Sequence, residues 1–233
     1  MSESDGGLTV IEHLEELRDR LIRALIALVV CTLFSLIFTG QFLKVLTAPM
    51  GVEKPIFIRP TEMFFTYMQV ALIGGLALAM PVIAYEFVKF VLPALFAHER
   101  RYLYIIIPAA SFSFLAGLAF AYFLMLPAAI EVLLRFGADI ASPQWRIGEY
   151  FSFVSALLIG MGFVFELPLV IFFLAKAGIV TSKMLSSYRK LAILLNFILA
   201  AIITPTGDPV NMSLVVLPLL VLYEIGVLLA KLA

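Results

Sequence analysis

Cysteine is nearly absent. Cys31 stands alone among 233 residues, which excludes an intrachain disulfide framework and any cysteine-built metal cluster. Histidine is almost as scarce: His13 and His98 are the only two, and neither has a metal-ligand spacing or lies in an apolar run where an intramembrane protease would need one. Charge is thin as well. Asp, Glu, Lys and Arg make up 14% of the chain against about a quarter in soluble domains. Sixteen basic residues cancel sixteen acidic ones, so there is no long-range field to gather nucleic acid or anionic substrates. The phosphate-cradling Gly-x4-Gly-Lys-[Ser/Thr] loop, the Gly-x-Ser-x-Gly elbow and the His-Glu-x-x-His helix are all missing. The expectation is a protein that is not an enzyme, holds no metal and carries no cofactor.

What the chain has is apolar length. Hydrophobic residues make up 63% of it and its mean hydropathy is +1.10, more apolar surface than a soluble domain can hide. A hydrocarbon core about 30 Å thick takes about 20 apolar residues per helix. Spans are expected near 22–42, 63–88, 102–129, 150–176, 190–204 and 210–229. The sequence predicts an all-α integral membrane protein, a single membrane domain over 1–233 with six transmembrane helices. The fifth interval is the shortest, which implies a locally thinned bilayer. Segments 44–62 and 131–149 read as structured outer caps. Pro81, Pro108, Pro127, Pro168 and Pro218 fall inside apolar segments, where each removes a backbone donor and is expected to kink its helix.

Basic residues set the orientation. With the N-terminus inside, Arg18, Arg20, Arg23, Lys89, Arg100, Arg101, Lys176, Lys183, Arg189, Lys190 and Lys231 are cytoplasmic, against Lys44, Lys54, Arg59, Arg135 and Arg146 outside. Eleven against five predicts N-in and C-in. The acidic residues ahead of the first apolar run, and the lack of a small-residue cleavage site, argue for a retained N-terminus rather than a signal peptide.

Several charged residues need a reason. Thr9 to Glu12 is a capping box, and Ile11, Leu14, Leu17 and Leu21 then recur at helical spacing, as in a helix lying on the membrane before it enters. Glu16 with Arg20, and Asp19 with Arg23, stand at i,i+4, a spacing that fits a solvated, salt-bridged face as well as a functional one. Glu99, in the run His98-Glu99-Arg100-Arg101, lies on the same side and is open to the same two readings. Glu166 is the strongest anomaly, because a carboxyl inside an apolar segment must face protein, water or a polar partner. Glu224 lies within reach of water or Lys231. Asp208 before Pro209 fits an N-cap with proline at the first helical position. One reading of Glu166 is a relay in a small proton-coupled secondary transporter with proline-broken helices.

The motifs are more specific in combination. His13-Leu14-Glu15-Glu16-Leu17-Arg18, Ala48-Pro49, Pro81-Val82, Leu92-Pro93-Ala94-Leu95 leading into His98-Glu99-Arg100-Arg101, Phe120-Ala121-Tyr122-Phe123, Phe165-Glu166-Leu167-Pro168, Thr204-Pro205 and Tyr223-Glu224-Ile225-Gly226, taken in order along nearly the whole chain, resemble the TatC family. TatC is the six-span receptor subunit of the twin-arginine protein translocase. The resemblance implies a curved, glove-like bundle in a bacterial cytoplasmic membrane, present in several copies per complex. It also implies binding of twin-arginine signal peptides of folded cargo, assembly with single-span TatA/TatB-type subunits, and export driven by the proton-motive force. Lipid surrounds such a protein and nucleic acid has no part. Residue by residue, it assigns Glu16 and Glu99 to the arginine pair, with Arg18 on the same surface, and Glu166 to an intramembrane polar or partner contact. Pro49, Pro81, Phe90, Tyr122 and Asp208 are assigned to shaping or signal contact. In one departure, Met212 aligns where family members often carry glutamine.

Overall fold

A computed structural model describes residues 10–51, 55–91, 101–135, 144–204 and 208–232. These form α1 (Val10–Leu36), α2 (Thr39–Thr47), α3 (Pro60–Val91), α4 (Arg101–Phe120), α5 (Leu126–Arg135), α6 (Ile147–Val164), α7 (Leu167–Lys176), α8 (Ser182–Ser187), α9 (Arg189–Ile203) and α10 (Pro209–Leu229). Among the described residues, four helical stretches are long and apolar enough to cross a membrane: Pro60–Phe90, Ile105–Arg135, Ile147–Lys176 and Pro209–Leu229. A fifth is added if α1 and α2, which meet at 77°, count as one broken span. Helix α9 has 15 residues, about 22 Å at 1.5 Å per residue. The chain is a multi-spanning all-α membrane protein.

Its outside is as apolar as its inside. Leu25, Val29 and Leu33 on α1, and Leu191, Leu195, Ile198 and Ile202 on α9, are all exposed, which suits solvation by lipid tails. Packing therefore depends on shape more than on hydrophobicity. Phe114, Leu126, Tyr150, Phe151, Met161 and Leu219 are fully buried at the centre. Helix α1 packs along α3, α3 along α4 and α6, α4 along α6, α7 along α10, and α10 along α9. Two glycines allow the closest crossings. A methyl on Gly75 would lie 2.6 Å from the Cα of Thr32, and one on Gly117 would lie 2.5 Å from the Met161 carbonyl oxygen.

Bending does not follow the prolines alone. The 77° break between α1 and α2 contains none. There the Ile37 and Phe38 N–H groups donate to the carbonyls of Phe34 and Ser35, three residues back, at 3.2 and 3.0 Å, which tightens the turn and ends α1. Pro81, Pro108 and Pro218 sit within continuous helices. Pro127 follows a π-helical segment, Ala121–Met125, whose wider turn is the local adjustment that a downstream proline ring calls for. Pro168 lies in the first turn of α7, just after the chain breaks at Phe165–Glu166.

The apolar positions expected in a helix lying on the membrane before it enters are continuous with the first apolar run. Helix α1 runs unbroken from Val10 through 27 residues, and Ile11, Leu14, Leu17 and Leu21 are exposed along with Leu25, Val29 and Leu33. No breaker separates the two parts, so the apolar surface is continuous. Thr9, the expected cap, lies outside the described residues.

At the bundle end where α3 and α6 begin, two connections are joined. The Ile56 N–H donates to the Trp145 carbonyl at 3.0 Å and the Ile147 N–H to the Ile56 carbonyl at 2.9 Å. Arg146 bonds Glu62 at 2.5 Å and Glu149 at 2.7 Å, and the Glu62 hydrogen bond holds its guanidinium more firmly charged than a free one. The hydroxyls of Tyr122 and Tyr150 donate to the carbonyls of Val45 and Leu46 at 2.9 and 2.6 Å, tying α2 to the centre of the bundle.

Candidate functional site

At the opposite end, the first turns of α1 meet the last turns of α3. Residues 13, 16, 20 and 23 recur at intervals of three and four, so they share one face of α1, and that face turns toward Glu86 and Phe90 of α3. Arg20 is the hub. Only 8% of it is exposed, and its Nε and Nη2 both donate to Oε1 of Glu16, the Nε bond being 3.1 Å. Its Nη1 donates to Oε2 of Glu86 at 3.4 Å. Arg23 reaches the same Glu86 oxygen at 3.5 Å. The second Glu16 oxygen is 3.9 Å from Nδ1 of His13, whose ring stacks on Phe90 with centroids 4.5 Å apart and planes 18° from parallel. Lys89 lies over the Tyr85 ring at 5.3 Å.

A carboxylate in such a position can take a guanidinium, because its oxygens accept from a planar N–H fork. Glu16 already does so with Arg20. Its side chain is one quarter exposed, and one oxygen is left to His13 at a distance too long for a hydrogen bond.

Of the expected site residues, Glu16 and Phe90 are brought together here, while Glu99 lies outside the described residues. Arg18 is not part of the cluster: two residues from Glu16, it faces away and bonds Asp19 at 3.1 Å. The expected Asp19–Arg23 pair is thereby corrected, since Asp19 takes Arg18 and Arg23 takes Glu86. Glu86 was missed by sequence reasoning. It stands 66 positions from Arg20 at the end of an apolar run, where a single acid passes for a flank. The only signal was its place four residues before Phe90 on the same helix.

The other expected residues are dispersed. Glu166 sits at the break before α7, its Oε1 buried without a hydrogen-bond partner among the described residues. It faces a cavity of about 270 Å³ lined by α3, α4, α6 and α7 side chains such as Met80, Ala84, Ala110 and Phe163. Pro49 is half-buried in a 3₁₀ turn after α2, and Pro81 is exposed within α3. Tyr122 makes the bond to Val45 already described. Asp208 caps α10, accepting from the Asn211 N–H at 2.7 Å with Pro209 in the first turn, as the Asp-Pro pair predicts. Glu224, for which water or Lys231 was within reach, is about half exposed and pairs with Arg189 at 2.8 Å, because α9 begins beside the end of α10. Among the described residues no cluster of His, Cys, Asp and Glu could hold a metal.

Residues 12–218 match the family model of the Sec-independent protein translocase protein, TatC. The chain belongs to the TatC family. The TatC protein of Carboxydothermus hydrogenoformans is 41% identical over 97% of this chain and 94% of its own length. The chloroplastic TATC of Arabidopsis thaliana is 35% identical over 98% of this chain and 68% of its own. A solved twin-arginine translocase receptor, TatC, superposes with a TM-score of 0.86 at 38% identity, covering 95% of this chain and 99% of that one. TatC is the receptor component of the twin-arginine translocase, which exports folded proteins through signal-peptide recognition, and it is not an enzyme. Membership decides against the transporter reading of Glu166.

Proposed function

We propose that this TatC chain captures the two arginines of a signal peptide with Glu16 and Glu99, Arg18 contributing to the same cytoplasmic surface. The observation that carries the reading is the Glu16–Arg20 contact: the carboxylate already accepts a two-nitrogen guanidinium edge, so a signal arginine meets a group oriented for its own geometry. His13 stacked on Phe90 adds an aromatic floor beside it, where a second guanidinium can rest.

The chain would cross a bacterial inner membrane six times, with both termini cytoplasmic and the segments around 44–62 and 131–149 as outer caps on one membrane domain. In that arrangement α1 and α2 form the first, bent crossing and α9 a short fifth one. The signal's apolar part would lie along a concave bundle face, with Glu166 as the polar contact at depth for it or for a partner helix. Pro49, Pro81, Tyr122 and Asp208 would shape that frame. Several copies of the chain would share one complex with single-span TatA/TatB-type subunits, and the proton-motive force drives transport.

The test is photocrosslinking of a twin-arginine signal peptide to the membrane-embedded chain. Glu16→Gln and Glu99→Gln are expected each to lower crosslinking about tenfold while the protein stays in the membrane. Wild-type crosslinking in the double variant would refute the assignment.

A further inference from the structure

The Glu16 site is occupied before any signal arrives. Its carboxylate holds the guanidinium of Arg20, and Arg20 is 8% exposed, so it cannot simply swing into water. Releasing it unpaired would leave a buried charge uncompensated, among the more costly events in a protein interior. Capture of a signal arginine by Glu16 therefore needs a second place for Arg20 to go.

Glu86 is that place. Its side chain is 9% exposed and one of its oxygens serves two guanidinium groups, Arg20 at 3.4 Å and Arg23 at 3.5 Å. Both contacts are at the far limit of a hydrogen bond, whereas charge-assisted pairs close to about 2.8 Å. The carboxylate thus has unused capacity toward Arg20. Arg23 is 55% exposed and can be given up to solvent at little cost, because screened surface pairs are worth about 1 kcal/mol or less. The Arg20 guanidinium already spans both acids, with its Nε and Nη2 edge on Glu16 and its Nη1 on Glu86. A small rotation converts one partner into the other without exposing the charge.

We infer that Glu86 is a positioning residue for twin-arginine capture: it receives Arg20 when a signal guanidinium takes Glu16, so that Arg20 serves as an internal placeholder for the signal. This rests on the reading of Glu16 as an arginine-binding carboxylate. The exchange is a swap of ion pairs with no net transfer of protons. It accounts for a buried acid at the end of α3 that topology alone does not require. It also favours arginine in the signal, because an incoming group must match the two-nitrogen edge that it displaces, which an ammonium cannot.

The experiment measures binding of a fluorescent signal peptide, in Arg-Arg and Lys-Lys forms, to the purified full chain in lipid nanodiscs. Glu86→Gln leaves Arg20 with Glu16 as its one strong partner and is expected to weaken Arg-Arg binding about tenfold. The paired variant Arg20→Gln/Glu86→Gln removes both the placeholder and its receiver, and is expected to return Arg-Arg affinity to within about threefold of wild type while narrowing the Arg-Arg over Lys-Lys preference, since no guanidinium edge is left to displace. If Glu86 only stapled α1 to α3, the paired variant would bind as weakly as Glu86→Gln or more so, which overturns the inference, as does wild-type affinity in Glu86→Gln. Should Glu86→Gln not purify as a single species, Glu86→Asp takes its place, with a smaller loss expected and the same rescue by Arg20→Gln. Glu16→Gln separates the two levels. Unchanged binding there refutes the Glu16 reading itself, whereas lost binding with an inert Glu86 refutes only the placeholder exchange.

Discussion

Single side chains in this protein differ sharply in what they are worth, and burial decides which. Arg146 and Arg189 each bond a glutamate, at 2.5 and 2.8 Å. The Glu62 side chain is 11% exposed, however, while Arg189 and Glu224 are each about half exposed. Removing Arg146 leaves the Glu62 carboxylate with the Ile58 N–H as its remaining cross-loop partner, so Arg146→Ala is expected to lower stability measurably. Arg189→Ala should cost less than about 1 kcal/mol. Thermal melts in detergent check this, with a clear loss for the first variant and almost none for the second. Glu166 calls for a functional readout. Its Oε1, unpartnered among the described residues, faces an apolar cavity, so the hydrogen-bonding role proposed for it would be retained by an amide. Export of a folded reporter should be mostly preserved in Glu166→Gln and reduced several-fold in Glu166→Ala. Loss of export in Glu166→Gln, with the complex assembled, would mean that ionisation is required.

Whole helices are held by close approach more than by burial of oil against oil, since lipid is as apolar as the bundle. The α1–α3 crossing depends on Gly75, which leaves room for the backbone at Thr32. Gly75→Val forces the two helices apart and is expected to destabilise by about 1–3 kcal/mol. It should also separate Arg20 from Glu86, because the same two helices carry both. A drop in melting temperature together with weaker signal binding checks this; a stable variant with full binding would show that the crossing is not what aligns the site. Helical identity, the short α9 and the Asp208 cap were legible in the sequence, because each follows from local periodicity or one dipeptide. The Glu16–Arg20 pair was legible for the same reason. The Arg20–Glu86 and Arg23–Glu86 pairs were not, since i,i+4 spacing assigned Arg23 to Asp19 and carries no information about a residue on another helix. The bend at Ile37–Phe38 was equally hidden. It arises from how α1 and α2 pack on α3, with Ser35 and Thr39 fully buried there, and proline was the only bend signal that the sequence offered.

For the molecule as a whole, topology hinges on α9. Its 15 residues fall short of a comfortable crossing, and if it failed to cross, α10 would run the other way and leave the C-terminus outside. Two contacts favour crossing. The Tyr223 hydroxyl donates to the Leu185 carbonyl at 2.8 Å and Arg189 bonds Glu224 at 2.8 Å, so the start of α9 lies beside the end of α10. At the other end α9 closes at Ile203, and α10 opens at Pro209. The two helices therefore run antiparallel side by side, which supports the proposed six crossings: a membrane that α10 spans would be crossed by α9 with it, thinned to the shorter length. Helix α7 fixes which end this is: Leu169 and Phe173 pack against Val88 and Ile106, bringing the end of α7 to the same side as Glu86 and Glu16. With Cys31 replaced by serine, single cysteines at Arg18, Lys183 and Lys231 should resist a membrane-impermeant maleimide until cells are opened. Cysteines at Lys44 and Arg135 should react on intact cells. Labelling of Lys231 from outside would remove the fifth crossing, and labelling of Arg18 from outside would turn the Glu16 site away from the signals that it is proposed to bind.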